Sequence, residues 1–95
     1  MREWTQAESI AYECAQATIT DLIAVLSGQI AEESSNPRPN AVRLASSRAE
    51  RFRLFRERAG LQVDDHAHID HIFAEYGTLV RAWRTPSRQG ITANT

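Results

Sequence analysis

The chain of 95 residues is 42% hydrophobic and 24% charged, which is the composition of one globular domain and not of a disordered segment. Its net charge of −1 gives no electrostatic reason for a polyanionic partner, and its longest apolar run, Leu22 to Leu26, is far too short for a membrane span. A single cysteine, Cys14, excludes an intrachain disulfide, and without a signal-peptide pattern it indicates the cytoplasm.

The first predicted element is a long helix that begins after Thr5 and runs to about Glu33. Thr5 and Glu8 have the spacing of a capping box, in which each side chain bonds the backbone N–H of the other residue. Gly28 marks either the end of this helix or a bend within it. Cys14 lies at the edge of the apolar stripe and is expected to be a buried thiol. The stripe comprises Trp4, Ala7, Ala11, Ala15, Ile19, Leu22, Leu26 and Ile30.

The second predicted helix runs from about Ala41 to Ala59, with Gly60 just beyond its end. Two prolines in residues 34–40 stop the first helix and make this segment an interhelical connection. Leu44 and Leu54 lie off the predicted core stripe of the second helix. That stripe comprises Ala45, Ala49, Phe52, Phe55 and Ala59, with Val42 at its margin.

The third predicted helix has the clearest apolar periodicity in the chain, and Asp64 or Asp65 is its expected N-cap. We expect its aromatic residues to pack on the first two helices, with Trp4 and Trp83 capping the ends of the core. The apolar positions are Ile69, Ile72, Phe73, Tyr76, Leu79, Val80 and Trp83. The specific core contacts expected are those of Phe73, Tyr76 and Val80 with Leu22, Ile19 and Phe52.

The three predicted helices and their short connections define an all-α, up-down-up three-helix bundle with a long N-terminal helix. Residues 1–86 are expected to form a single helical domain, and the polar residues 87–95 a disordered, flexible C-terminal tail. The alternative is a long first helix with a helical hairpin docked onto it, completed by dimerisation.

One predicted face of the third helix carries Asp64, His68, His71 and Glu75 at spacings of 4, 3 and 4. Imidazoles and carboxylates at such spacings can bind zinc or iron from a helix. The competing interpretation, which we favour, is a solvated face with imidazole–carboxylate pairs four residues apart. No HExxH or ExxH motif occurs, and the other helices supply no histidine. We therefore expect no metal and no cofactor.

Residues 36–60 have a net charge of +5, whereas residues 1–35 have a net charge of −5. Together with Phe52 and Phe55, the arginines could bind phosphates or stack on bases, so nucleic-acid binding is one alternative. We favour a structural role, in which Arg48 and Arg56 project within the apolar stripe and pair with carboxylates of a neighbouring helix. The arginines concerned are Arg43, Arg48, Arg51, Arg53, Arg56 and Arg58.

No catalytic or cofactor motif is evident, and we therefore expect a small non-enzymatic accessory or regulatory protein that acts through protein–protein interaction. A homodimer is expected, or a different protein on the same surface, because a bundle of this size would leave several apolar side chains uncovered. The expected interface residues are Ile10, Leu26, Ile30, Leu44 and Leu54.

Overall fold

The computed structural model describes residues 4–84, and the side chains of residues 4–82, as three helices without a strand. Helix α1 spans Gln6–Ser34 and helix α2 spans Ala41–Gly60. Helix α3, residues 66–84, consists of an α-helical segment His66–His71, a π-helical turn Ile72–Tyr76 and an α-helical segment Gly77–Arg84. The all-α fold with a long first helix is therefore confirmed. The predicted tail at 87–95 and the side chain of Trp83 lie outside the described residues.

The start of α1 is fixed by the predicted capping box. The Glu8 N–H donates to Thr5 Oγ1 and the Thr5 N–H donates to Glu8 Oε1, both at 3.0 Å. Two backbone donors that have no partner inside the helix are thereby satisfied. Gly28 does not end the helix, which continues for six further residues to Ser34.

Contacts along α1 show the course of the other two helices. Asn40 caps α2 by accepting from the Arg43 N–H at 3.0 Å, and Arg43 lies 4.0 Å from Glu33 near the end of α1. Farther along α2, Arg58 Nη1 donates to Thr20 Oγ1 at 2.9 Å, so α2 runs back along α1. At the start of α3, His66 pairs with Glu8 of the first turn of α1 at 2.7 Å. These contacts are consistent with the predicted up-down-up arrangement.

The hydrophobic core is built around α1, against which both other helices pack. Side chains of α1 supply about half of the buried residues, and Ile19 has no exposed surface. Burial of this apolar surface is the main force that holds the three helices together. The buried side chains are Ala15, Ile19, Leu22, Ile23, Leu26, Ile30, Leu54, Leu61, Ile69, Ile72, Tyr76 and Val80.

Helix α2 packs through the face opposite to the predicted one. Leu54, expected off the core, is 2% exposed, whereas Phe52, expected inside it, is 63% exposed and Val42, expected at its margin, is 79% exposed. The inward face also carries Arg51, whose Nη1 donates to Ser27 Oγ at 3.1 Å, and Arg58, which contacts Thr20. These arginines find hydroxyl partners on α1, so a face that looks polar in sequence can pack against it.

The π-helical turn lies in the part of α3 that packs into the core. The Gly77 N–H bonds to the Ile72 carbonyl, five residues back, which widens the turn. Ile72, Tyr76 and Val80, each four residues apart, are all buried. Phe73, expected at the centre of the core, is 36% exposed, and the predicted Phe73 and Phe52 core contacts are therefore wrong.

Two further expectations about α1 are also wrong. Trp4 does not cap the core, because its side chain is 46% exposed. Cys14 is an exposed free thiol and not a buried one. Both residues lie on or beyond the outer margin of the stripe, where the described part of the chain supplies no helix to cover them.

Helices α2 and α3 both pack along α1 but not backbone to backbone against each other. Side chains bridge the space between them, with the Tyr76 hydroxyl donating to Glu57 Oε1 at 2.7 Å. The molecule is 16 Å thick along its shortest axis. In so thin an arrangement α2 leaves the side that points away from α1 in solvent.

Among the described residues, α1 is long enough and has a high enough mean hydropathy to cross a membrane. The longest apolar run did not reveal this, because alanines spread along the helix raise the mean hydropathy without forming a run. A central helix in the core of a soluble protein meets the same criterion. The buried side of α1 is covered by α2 and α3.

Candidate interaction surface

The side of α2 that points away from α1 carries an apolar stripe, which we term the outer face of α2. Its members recur at alternating intervals of three and four residues, the a and d spacing of a coiled-coil heptad. A stripe of this period stays on one side of a helix along its whole length. The outer face comprises Val42, Ala45, Ala49, Phe52, Arg56 and Ala59, all exposed.

Aromatic side chains stand out from this side of α2. Phe52 is 63% exposed and Phe55, beside it, is 42% exposed. Each has an arginine over its ring, with Arg56 Cζ 6.0 Å from the Phe52 centroid and Arg58 Cζ 5.1 Å from the Phe55 centroid. Such contacts shield only part of a ring. Two phenylalanines close together on one exposed helix side are a feature of interaction surfaces.

Of the six arginines of α2, Arg43 lies 4.0 Å from Glu33 of α1, and the other five divide into two groups. Arg51, Arg53 and Arg58 turn toward the rest of the protein and bond to side chains there. Arg48 and Arg56 point outward, and within the described residues neither has a carboxylate at ion-pair distance. The expectation that these two bridge to another helix is wrong because their side of α2 faces solvent.

The predicted interface residues are mostly in the core. Leu54 is 2% exposed, Leu26 is 6% exposed and Ile30 is 7% exposed, so they are not surplus apolar surface on this chain. Leu44 is half-buried, and Ile10 is 52% exposed. Ile30, near the C-terminal end of α1, is not left uncovered, because α2 starts directly beside that end.

A polar cluster joins α2 to α3. Glu57 Oε2 lies 2.6 Å from His68 Nε2, and Glu57 Oε1 accepts from the Tyr76 hydroxyl at 2.7 Å and from Arg53 Nη1 at 3.2 Å. Burial raises the pKa of Glu57, but the hydrogen bonds from His68 and Tyr76 and the nearby Arg53 charge outweigh it, so the pKa lies below its ordinary value. Burial and the Glu57 hydrogen bond raise the pKa of Tyr76. The cluster holds two helices in register.

The candidate metal ligands are not brought together around one point. His68 is bonded to Glu57 on α2, while the rings of His68 and His71 are 6.4 Å apart. His71 meets the edge of Tyr76 at 5.9 Å, and Asp64 and Glu75 are exposed. Among the described residues, no three histidines, cysteines or carboxylates are placed to hold a metal ion. The expected imidazole–carboxylate pairs form across helices instead of along α3.

Two open grooves flank Val63, which follows α2. The first, about 450 Å³ in volume, runs between the start of α1 and the α2–α3 connection, with Trp4 and Tyr12 among its lining residues. The second, about 240 Å³, lies between Ala11 and Ile69 and is mainly apolar. The second groove is also lined by Asp70 and by the pair Glu8 and His66, whose Oε2 and Nε2 atoms lie 2.7 Å apart.

Sequence reasoning missed Glu57 and the Tyr76 hydroxyl, and it placed the outer face of α2 in the core. Glu57 pairs with residues 11 and 19 positions away, so no local motif marks it. The outer face did give a signal, since its period was recognised, but its direction was misassigned. The leucines seven residues apart at Leu54 and Leu61 were the available sign of a second, inward stripe.

No family model matches the chain, and comparison with curated proteins and with solved structures gives no match. The fold and surface alone define its class. It is an all-α protein of three helices, one of which exposes a heptad-spaced, arginine-flanked apolar face.

Proposed function

We propose that this protein is a small non-enzymatic accessory or regulatory protein that binds a helical segment of a protein partner on the outer face of α2. The observation that carries the proposal is the exposure of Phe52 in the middle of a heptad-spaced stripe. Helices with a and d apolar residues pack against other helices by inserting side chains into the gaps between their neighbours. We expect the cytoplasm as its compartment, where an exposed Cys14 thiol would stay reduced.

The composition of the outer face supports a helix as the occupant. The alanines at 45, 49 and 59 have short side chains, so a second helix can come close to the α2 backbone. The larger Phe52 side chain projects beyond these alanines and would fill a gap between side chains of the partner helix. The face is 18 residues long from Val42 to Ala59, or about 25 Å at 1.5 Å per residue. A partner helix of five turns would cover it.

Nucleic-acid binding by the same side of α2 is the second candidate. The outward guanidiniums of Arg48 and Arg56, next to the exposed rings of Phe52 and Phe55, favour it. Against it, the middle of the face consists of alanine and phenylalanine, whereas phosphate contacts come from basic and polar side chains.

Self-association is the competing form of the protein-binding proposal. A homodimer was expected because apolar side chains would be left uncovered, but three of them, Leu26, Ile30 and Leu54, are buried in the core. A dimer through the outer face would bring the arginines of two copies together. We therefore propose a different chain as the partner.

A binding assay with designed helical peptides tests the proposal. Two labelled 18-residue peptides with leucine at a and d positions, one with glutamate and one with lysine at the flanking positions, are titrated with the full chain by fluorescence anisotropy. We expect at least one to bind, and Phe52→Ser to weaken that binding about 30-fold or more, as truncation of a central anchor does.

Ile10→Ser is the matched control, because Ile10 is also an exposed apolar side chain but lies on α1. It should leave the affinity unchanged. Circular dichroism should show both variants folded, since neither residue is in the core. Failure of both peptides to bind, or binding that Phe52→Ser does not weaken, would exclude the outer face as a helix-binding surface.

A further inference from the structure

We infer that the helix that binds the outer face of α2 is acidic, with carboxylates placed to pair with Arg48 and Arg56. This inference rests on the proposed function, and it adds the charge of the partner. Two observations support it: the outward charges on α2 are positive, and the two carboxylates of α2 are bound by Arg53 of the same helix.

The charged side chains on this side of α2 all have one sign. In residues 41–60 the carboxylates are Glu50 and Glu57, and neither belongs to the outer face; the Glu57 side chain is 11% exposed and that of Glu50 is 46% exposed. Arg53 occupies them, with Nε 3.0 Å from Glu50 Oε2 and Nη1 3.2 Å from Glu57 Oε1. The hydrogen bond from Arg53 lowers the pKa of Glu50. Neither acid therefore turns outward to neutralise Arg48 or Arg56.

Arg56 makes the requirement for a partner carboxylate strict. It occupies an a position of the heptad, one turn after Phe52, with its guanidinium carbon 6.0 Å from the Phe52 ring. A helix packed over Phe52 would remove water from Arg56 as well. An uncompensated guanidinium is costly to desolvate, whereas a carboxylate can bind its two N–H groups in parallel.

Arg48 extends the positive charge toward the other end of the face. It stands one residue before Ala49, a flanking g position in the heptad, where charges select the partner of a coiled coil. Arg48 and Arg56 are two turns apart, so carboxylates two turns apart on one edge of the partner helix would meet both. The large apolar residues of that partner would lie over Ala45 and Ala49.

A second copy of the chain fits this surface poorly. Symmetric packing of two α2 helices would place four outward arginines in one interface without an opposing acid. Like charges across a helix interface act against pairing and serve to exclude wrong partners. Acidic character in the partner removes this conflict, and it is the reason for choosing a different chain.

The two designed peptides distinguish the charge of the partner. With the full chain at low salt, we expect the glutamate-flanked peptide to bind about tenfold tighter than the lysine-flanked one, the effect of two ion pairs of about 0.7 kcal/mol each. The preference should decrease at about 1 M salt, where the Debye length is only 3 Å. Equal affinity for both peptides, with binding still weakened by Phe52→Ser, would overturn the acidic partner and leave the proposed function standing.

A charge-reversal variant gives the second readout. Arg48→Glu combined with Arg56→Glu should reverse the preference to the lysine-flanked peptide, because both side chains are exposed and the fold does not depend on them. Arg38→Glu, in the α1–α2 connection, is the control for a general change of charge and should not reverse it. An unchanged preference in the double variant would overturn the inference.

Two further measurements test the other possible occupants of the outer face, a nucleic acid and a second copy of the chain. A labelled 20-base-pair duplex of generic sequence should bind more weakly than the acidic peptide at about 0.15 M salt. Sedimentation equilibrium should show no self-association that depends on Phe52. Tighter binding of the duplex, or a dimer dissociated by Phe52→Ser, would each overturn the inference in favour of that occupant.

Discussion

Glu57 Oε2 and His68 Nε2 lie 2.6 Å apart and connect two helices whose backbones do not pack together. A carboxylate can only accept a hydrogen bond, so Nε2 of His68 is the donor when Glu57 is ionised. The second carboxylate oxygen accepts from the Tyr76 hydroxyl, and Arg53 completes the cluster. The Glu57 side chain is 11% exposed, so its charge is satisfied almost entirely by protein groups. This cluster takes the place of the apolar contact that a closed bundle would have between its second and third helices.

Acid should weaken the fold through Glu57. Its pKa is lowered in the folded protein, so its contribution to the free energy of unfolding is complete above the ordinary pKa of about 4.5 and is lost as the pH falls through the lower folded value. We expect Glu57→Gln to cost about 1–3 kcal/mol at pH 7, because His68, Tyr76 and Arg53 lose a charged acceptor. Urea unfolding measured from pH 7 to pH 3 should show a smaller decrease in stability for this variant than for the parent.

Glu75→Gln is the control for the acid experiment, since Glu75 is an exposed carboxylate on α3. It should leave both the stability at pH 7 and its pH dependence close to those of the parent. Some acid sensitivity should remain in Glu57→Gln, because the pKa of Glu50 is also lowered. Parallel pH profiles for Glu57→Gln and the parent would contradict the role assigned to the cluster.

The capping box of α1 should contribute measurably to stability. Thr5→Ala removes the acceptor for the Glu8 N–H and should lower the free energy of unfolding by about 0.5–2 kcal/mol. Thr5→Ser keeps the hydroxyl and should retain most of that stability. Thr18→Ala is the control within the same helix, because the Thr18 hydroxyl bonds only to the Cys14 carbonyl one turn earlier. A loss as large for Thr18→Ala as for Thr5→Ala would contradict this role of the cap.

The features of α1 could be predicted because they are local or follow one dominant period. The capping box needs residues only three positions apart, and its hydrogen bonds form whatever the helix packs against. Ile19, Leu22 and Leu26 lie on the apolar side of the helix, and they are buried as predicted. The fold class followed from three such helical segments. The prediction failed at Trp4, which was included in the stripe although no other helix of the described chain covers it.

Helix α2 shows what periodicity leaves open. The sequence carries two stripes on opposite sides, one with Leu54 and Leu61 and the other with Phe52 and alanines. Period alone states which residues share a face but not which face turns inward. The choice depends on Arg51 and Arg58 finding Ser27 and Thr20 on another helix, which is a tertiary contact.

Helix α3 was misread for a different reason. Its apolar spacing fits a regular α-helix, and nothing in the local sequence marks the bond from the Gly77 N–H to the Ile72 carbonyl. Phe73, beside that wider turn, is 36% exposed, whereas Ile72, Tyr76 and Val80 are buried as predicted. The error in α3 therefore concerns Phe73 and not the apolar face as a whole.

The thiol of Cys14 should react in the native state. Because it is exposed on α1, a thiol-specific reagent such as Ellman's reagent should modify it at a rate within several-fold of that in urea-unfolded protein. Circular dichroism after alkylation with a bulky maleimide should be unchanged, since no core side chain is displaced. Modification that occurs only after addition of denaturant would show that Cys14 is buried, as its position beside the apolar stripe first indicated.

The orientation of α2 gives the most direct test of the fold, through a comparison of Leu54 and Phe52. Leu54 is 2% exposed, and Leu54→Ala should lower the free energy of unfolding by about 2–5 kcal/mol because it leaves a cavity against α1. Phe52 is larger but 63% exposed, so Phe52→Ala should cost less than about 1 kcal/mol. Urea unfolding at pH 7 with equal slopes for both variants measures the difference directly. If α2 packed through its alanine and phenylalanine side, the order would reverse, with Phe52→Ala the more destabilising change.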